Sequence, residues 1–191
     1  MENIKVRNVI ISKQGKNSEN YERLKKIVTK KNINIILAEQ EKQIQIDKYV
    51  YFNIIFPTDQ LIEENTLNNN SIVAKLCYGN FSMLFTGDVE KIAEQEMIEK
   101  YKNTNTLRAT ILKVAHHGSK SSSIEEFLKL VQAKIALIGV GEKNTFGHPN
   151  DAVLKRIEKL GTNIYRTDQN GEIEIKINKK GNIKIKKKIN L

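Results

Sequence analysis

A chain of 191 residues, 39% of them hydrophobic, holds enough apolar material for one domain with a core. Its single cysteine, Cys77, excludes an internal disulfide framework and a thiolate zinc cluster, and no apolar run approaches the ~20 residues of a membrane span. A net charge of +10 favours polyanionic partners, nucleic acid or an anionic membrane surface, although AT-rich coding alone gives a sequence rich in Lys, Ile and Asn.

The opening, MENIKVRNVIISKQ, has too short an apolar part, too interrupted by charge, for a secretion signal, so the chain is expected to be soluble. IKVRNVIIS predicts a strand. NSENYERLKKIVTKKN predicts a helix, with Tyr21, Leu24, Ile27 and Val28 at helical spacing and Ser18 as N-cap. INIILAE predicts a strand and KQIQIDKYVYFNIIFPT two more. TDQLIEENTLNNN, 58–70, reads as a polar loop bordering an active site. A hairpin follows, with strands at 71–78 and 81–86 around the turn YGNF, where Cys77 is a small core residue.

A helix is predicted from about Val89 to Tyr101, then the strand RATILKVA, ended by His116 and His117. Ser122 or Ser123 can cap the helix IEEFLKLV, each with a glutamate three residues on. KIALIGVG is a buried-type strand and NTFGHPN a loop. DAVLKRIEKL is a helix started by Asn150 or Asp151 and stopped by Gly161. NIYRT is a strand and DQNG a turn, with Asp168 an ordinary turn residue. The chain closes on the hairpin EIEIKI/NIKIKK, with Ile on one face and charge on the other. Strand–loop–helix units throughout predict an α/β sandwich with sheets inside and helices outside.

Three loops share a feature. FTGDVE with Asp88, AHHGSK with His116 and His117, and FGHPN with His148 each follow a buried strand, and no histidine in the chain falls elsewhere. Neighbouring strands would bring the three loops to one rim, where carboxylate and imidazole ligands could hold zinc or manganese. Such an ion lowers the pKa of bound water. Each signal alone has an ordinary counterpart: an Asp favours a helix N-terminus, and a His before Pro is common in loops. Side chains alternate along a strand, so if the strand persists only one of His116 and His117 faces the site; which one stays open. Ser119 and Lys120 stand where they could meet a phosphate, and Asn144 could orient a substrate.

Four segments in register carry a resemblance: NNNSIVAKLCYGNFSMLFTGD, ILKVAHHGSKSSS, ALIGVGEKNTFGHPN and IYRTDQNGEI. Together they resemble the metallo-β-lactamase-like domain of the ComEC family, the channel proteins of natural DNA uptake. The close match covers 68–175, and 1–60 fits more loosely. The resemblance implies an αββα sandwich and a hydrolase site for two divalent ions, in a domain thought to be a nuclease. On it, Asp88 is the bridging carboxylate and one of His116 and His117 a second ligand. His148 and Asn144 lie near the chemistry. Ser119, Lys120, Asn68 and Ser71 contact substrate, with the NNNS run standing where many superfamily members carry a further ligand histidine.

The superfamily's His-x-His-x-Asp-His motif is absent from this sequence, and no histidine precedes His116. Residues 1–191 are therefore expected to be the C-terminal part of one such domain, N-terminally incomplete and with impaired activity alone. DNA, the rest of the domain and a membrane channel are the implied partners, and the outer face of the cell membrane is the implied location in a ComEC-type protein. Two other readings stand beside the nuclease: a free-standing hydrolase of another phosphoester, and a degenerate, metal-free module binding nucleic acid through its Ile/Lys hairpin.

Overall fold

In the computed structural model, which describes residues 4–13, 19–178 and 180–189, the β-branched run at Asn8–Ile11 forms β1. It pairs in parallel with β2 (Asn34–Leu37), and helix α1 (Glu19–Lys30) makes the crossover. The N-cap expected at Ser18 lies outside the described residues. Strands β3 (Gln43–Asp47), β4 (Val50–Phe56), β5 (Val73–Tyr78) and β6 (Phe81–Phe85) follow as an antiparallel meander. The loop predicted at 58–70 contains one short helix, α2 (Thr66–Asn69).

From β6 onward the strands run parallel. Helix α3 (Lys91–Tyr101) leads to β7 (Ile111–Lys113), α4 (Glu125–Val131) to β8 (Ile135–Ile138), and α5 (Asp151–Lys159) to β9 (Asn163–Arg166). The short α6 (Thr167–Asn170) replaces the predicted DQNG turn, and β10 (Ile173–Ile177) and β11 (Ile183–Lys187) close the chain as an antiparallel hairpin. The main sheet has the order β3-β4-β5-β6-β7-β8-β9, with mostly polar β3 at one edge.

Side chains alternate across this sheet, so each strand feeds two cores. One face packs Leu84, Leu112 and Ala136 against Met97 and Tyr101 of α3, Phe127 and Val131 of α4, and Val153 and Ile157 of α5. Burying each larger apolar side chain contributes about 1.5–3 kcal/mol. The other face is covered at one end by Ile10 and Ile36 of the β1–β2 pair, which meet Ile44, Ile54 and Ala74. At the other end it is covered by the terminal hairpin, whose Ile175, Ile177, Ile183 and Ile185 meet Phe81, Ile111 and Ile135. Helices, a large sheet and a second β layer are thus stacked in that order.

α5 starts as expected, with the Asn150 side chain accepting the Ala152 N–H at 3.0 Å. The expected serine caps of α4 do not form. Its N-cap is Ile124, Ser122 Oγ donates to Val89 O, and the N–H groups of Ser123 and Ile124 donate to the Glu94 carboxylate of α3 at 2.7 and 2.8 Å. A carboxylate from another helix satisfies the terminal donors better than a local hydroxyl, and the serines turn inward instead.

Candidate metal centre at the rim of the parallel strands

β6, β7 and β8 are adjacent and parallel, so the loops carrying Asp88, the histidine pair and His148 leave the same edge of the sheet. Carboxyl ends of parallel strands are where open α/β sheets place ligands.

Asp88 is set by a close crossing. Gly87 has φ +54°, and a Cβ there would stand 2.6 Å from Ser71 Cβ. Ser71 Oγ then accepts the Asp88 N–H at 3.2 Å. Lys113, at the end of β7, donates to Val114 O at 2.9 Å; burial holds its amine below the usual range, against the pull of the Asp88 carboxylate.

The strand does not persist into the histidine pair. It ends at Lys113, and residues Ala115–Gly118 form a tight 3₁₀ turn in which His116 (φ 47°) and His117 (φ 55°) are both left-handed. His116 N–H donates to Gly87 O at 3.0 Å, which ties the turn to the Asp88 loop. The alternation expected of a strand therefore does not apply, and both rings stand in the site region.

His117 Nδ1 meets the Gly139 carbonyl at 2.5 Å. A carbonyl only accepts, so Nδ1 carries the proton and Nε2 keeps its lone pair. That Nε2 lies 3.8 Å from Asp88 Oδ1. The gap is slightly wider than the ~3–3.5 Å between adjacent donors on one zinc ion with bonds of about 2.0–2.2 Å. His116 is different: its Nδ1 is buried without a hydrogen-bond partner among the described residues, 3.5 Å from Glu90 Oε1. Its ring meets that of His148 edge-on at 5.7 Å. Burial, then the neighbouring His116 and His117, hold the His148 imidazole below its ordinary range, with Asp88 opposing.

The His148 loop is locked by two devices. Asn144 Oδ1 accepts the His148 N–H at 2.9 Å while its Nδ2 donates to His148 O at 2.8 Å. Asn150 N–H donates to Gly118 O at 2.9 Å, and Gly118, at φ +82°, sits so close that a Cβ would stand 2.6 Å from Pro149 Cβ. Gly118→Ala is expected to lose about 2–3 kcal/mol of stability from strained backbone and the forced separation of the two loops. A thermal unfolding midpoint equal to that of the parent would refute this.

A cleft of about 410 Å³ lies beside these groups, lined by His117, Gly139, Asn144, Phe146, His148 and Thr167. Thr167 Oγ1 accepts from Val140 N at 2.7 Å and donates to Val140 O at 2.8 Å, which steadies the segment presenting the Gly139 carbonyl. The other predicted substrate residues are placed elsewhere. Ser119 is buried, with its hydroxyl 3.0 Å from that of Ser121. Asn68 accepts the Ser71 N–H through its backbone, and Ser71 serves Asp88. Lys120 lines a separate groove with Glu90, Lys91, Ser121 and Arg156. Asp168 forms a paired contact with the Arg166 guanidinium, at 3.1 and 2.6 Å.

The donors fit a divalent ion in part. Asp88 and His117 offer an oxygen and a lone-pair nitrogen to one point, with the imidazole fixed from behind as in metal sites. Among the described residues no three His, Cys, Asp or Glu side chains converge to hold an ion.

Residues 4–142 match the family described as the metallo-beta-lactamase superfamily. The chain belongs to that superfamily. ComE operon protein 3 of Bacillus subtilis is 33% identical over 170 residues, which is 89% of this chain and 21% of that protein. Competence protein ComA of Neisseria gonorrhoeae is 32% identical over 114 residues, 60% of this chain and 16% of the relative. Recombination protein 2 of Haemophilus influenzae is 29% identical over 127 residues, 66% and 15%. The chain therefore spans about a fifth or less of these relatives. The matches agree with the ComEC-family resemblance of the four motifs, and the stacked layers are those of the superfamily's α/β sandwich. Among the described residues no helix is long and apolar enough to cross a membrane.

Proposed function

We propose that this chain carries part of the active site of a metal-dependent phosphodiesterase acting on DNA, in a protein of DNA uptake. The observation that supports it is the Asp88–His117 pair, 3.8 Å apart, with the His117 lone pair left on Nε2, the Asp88 side, by the Gly139 bond. Asp88 Oδ1 and His117 Nε2 would hold the ion, zinc or manganese, with His116 Nε2 joining them when an ion is bound. Such an ion supplies Lewis-acid polarisation of a phosphoryl oxygen and activation of water. His148 lies beside His117 on the cleft wall, where its imidazole can hydrogen-bond a phosphate oxygen, and exposed Phe146 stacks on that ring at 6.0 Å. Asn144 holds the backbone on which His148 sits. Lys113 adds positive charge near the carboxylate, and Lys120 could meet the DNA backbone outside the cleft.

The ligand set is partial, and a closed site needs more donors than these. We propose that a His-x-His-x-Asp-His segment, which this sequence lacks, supplies the remainder in a longer protein. In that protein the domain would work beside a membrane channel.

The test is hydrolysis of a chromogenic phosphodiester and of labelled single- and double-stranded DNA, with Mn²⁺ or Zn²⁺ added. Metal-dependent cleavage of both substrate types is expected, weak for this chain and raised when the missing segment is fused to it. DNA affinity should fall with salt at a slope of roughly 0.9 per phosphate contacted. Cleavage of the chromogenic diester but not of DNA would favour another phosphoester. DNA binding without any cleavage would favour the non-enzymatic reading.

A further inference from the structure

We propose that Glu90 is a positioning residue for His116: it accepts from Nδ1–H and so leaves the lone pair on Nε2, free for an ion, as the Gly139 carbonyl does for His117. The inference rests on the reading of the site as a metal centre, and it adds a residue to that site which the motifs did not single out.

The geometry behind it is local. His116 Nδ1 is buried, has no hydrogen-bond partner among the described residues, and lies 3.5 Å from Glu90 Oε1. A lone pair aimed at a carboxylate oxygen would be repelled, and away from water nothing would relieve it. A proton on Nδ1 turns the same contact into an attraction, which a small closure makes a charge-assisted hydrogen bond. Bonds at active sites are often long before the ligand arrives.

Glu90 is itself held from three sides. Asn65 Nδ2 donates to Oε2 at 2.8 Å, Ser121 Oγ donates to Oε1 at 2.8 Å, and the Glu90 N–H donates to the buried Asn69 side chain at 3.0 Å. A carboxylate serving only solubility would not be anchored by the asparagine loop and the serine loop at once. The asparagine run thus acts through Glu90, and Ser121, two residues past Ser119, completes the hold. The two histidines are then fixed by different acceptors, a carbonyl for His117 and a carboxylate for His116, and both leave Nε2 for an ion.

The experiment is nitrogen NMR of the full chain with isotope-labelled histidine, metal-free, at about pH 8, which is above the ordinary range of a free imidazole. His116 is expected to be protonated at Nδ1 in the parent and to lose that preference in Glu90→Ala, while His117, bonded to Gly139, does not change. Titration with Mn²⁺ alone should then show affinity about 10–100-fold weaker in Glu90→Ala. Adding Glu90→Ala to His116→Ala should cost no more than about two-fold further. Glu90→Gln, of the same shape, guards against misfolding and should give an intermediate loss. A His116 protonated at Nε2 in the parent, or a tautomer indifferent to both substitutions, overturns the proposal. If the tautomer responds but no variant or parent binds Mn²⁺, the role of Glu90 stands and the metal reading falls.

Discussion

Replacing Asp88 and His117 together by alanine is expected to weaken Mn²⁺ or Zn²⁺ binding by more than about 100-fold, because changes to groups that merely support ligands already cost 10–100-fold. Any metal-dependent phosphodiester cleavage should disappear with it. The fold should survive. The two side chains are 42% and 47% exposed, and the hydrogen bond lost to Gly139 is worth about 1 kcal/mol. Calorimetric metal titration and thermal unfolding of the same samples separate these effects. Metal binding unchanged in the double variant would show that the ion sits elsewhere, and unchanged DNA binding in a metal-free double variant would favour a charge-driven binding module.

The second large effect belongs to Glu94. This side chain is fully buried on α3, its carboxylate accepts the two N–H groups that begin α4, and Arg156 lies near enough to pull on it. Burial outweighs these stabilising contacts and pushes its pKa from 4.5 to about 7. Glu94→Ala strands two buried donors and should cost about 4 kcal/mol near pH 5. In the unfolded chain the group ionises near 4.5 and in the folded chain near 7, so between these values the folded state holds the extra proton. Its contribution is full below pH 4.5 and is lost as pH rises through 7. The stability gap between parent and variant should therefore narrow, by up to about 3 kcal/mol, as pH is raised to about 8. Chemical denaturation across that range measures it. A gap that stays constant across this range would mean that the carboxylate is ionised throughout and that its two hydrogen bonds, not its burial, set its titration.

The strands of the main sheet and the rim were legible because their signals are local. Alternating residues, the turn YGNF and the strand–loop–helix rhythm are written in consecutive positions. They suffice to place Asp88, the histidine pair and His148 at one edge. The serine caps of α4 were misjudged for the opposite reason. Their competitor, Glu94, is some thirty residues away, and nothing in the local run SSSIEE reveals it. The histidine pair shows the same limit. Two consecutive left-handed residues contradict every local preference, and they persist because Gly87 and Gly139 supply acceptors from neighbouring strands. The asparagine run read as a polar turn, yet Asn69 and Asn70 are wholly buried, since each side chain bonds the backbone of its own loop. Glu90 was in plain view within FTGDVE, two residues beyond Asp88. A helix start that holds two carboxylates is the one signal that could have flagged it.

The Asn144 clamp has a consequence for how such a site can change. By bonding both the N–H and the carbonyl of His148, Asn144 closes a small ring of chain, with Thr145, Phe146 and Gly147 as its outer tip. Phe146 is 81% exposed and stacks on the face of one imidazole. Thr145 and Phe146 can drift in size and polarity while the histidine behind them keeps its place, whereas Gly147, at φ +68°, is held to glycine by its backbone. The ring separates a tolerant outer tip from a fixed chemical base, so the reach of the cleft can be retuned without disturbing the atoms that would do the work.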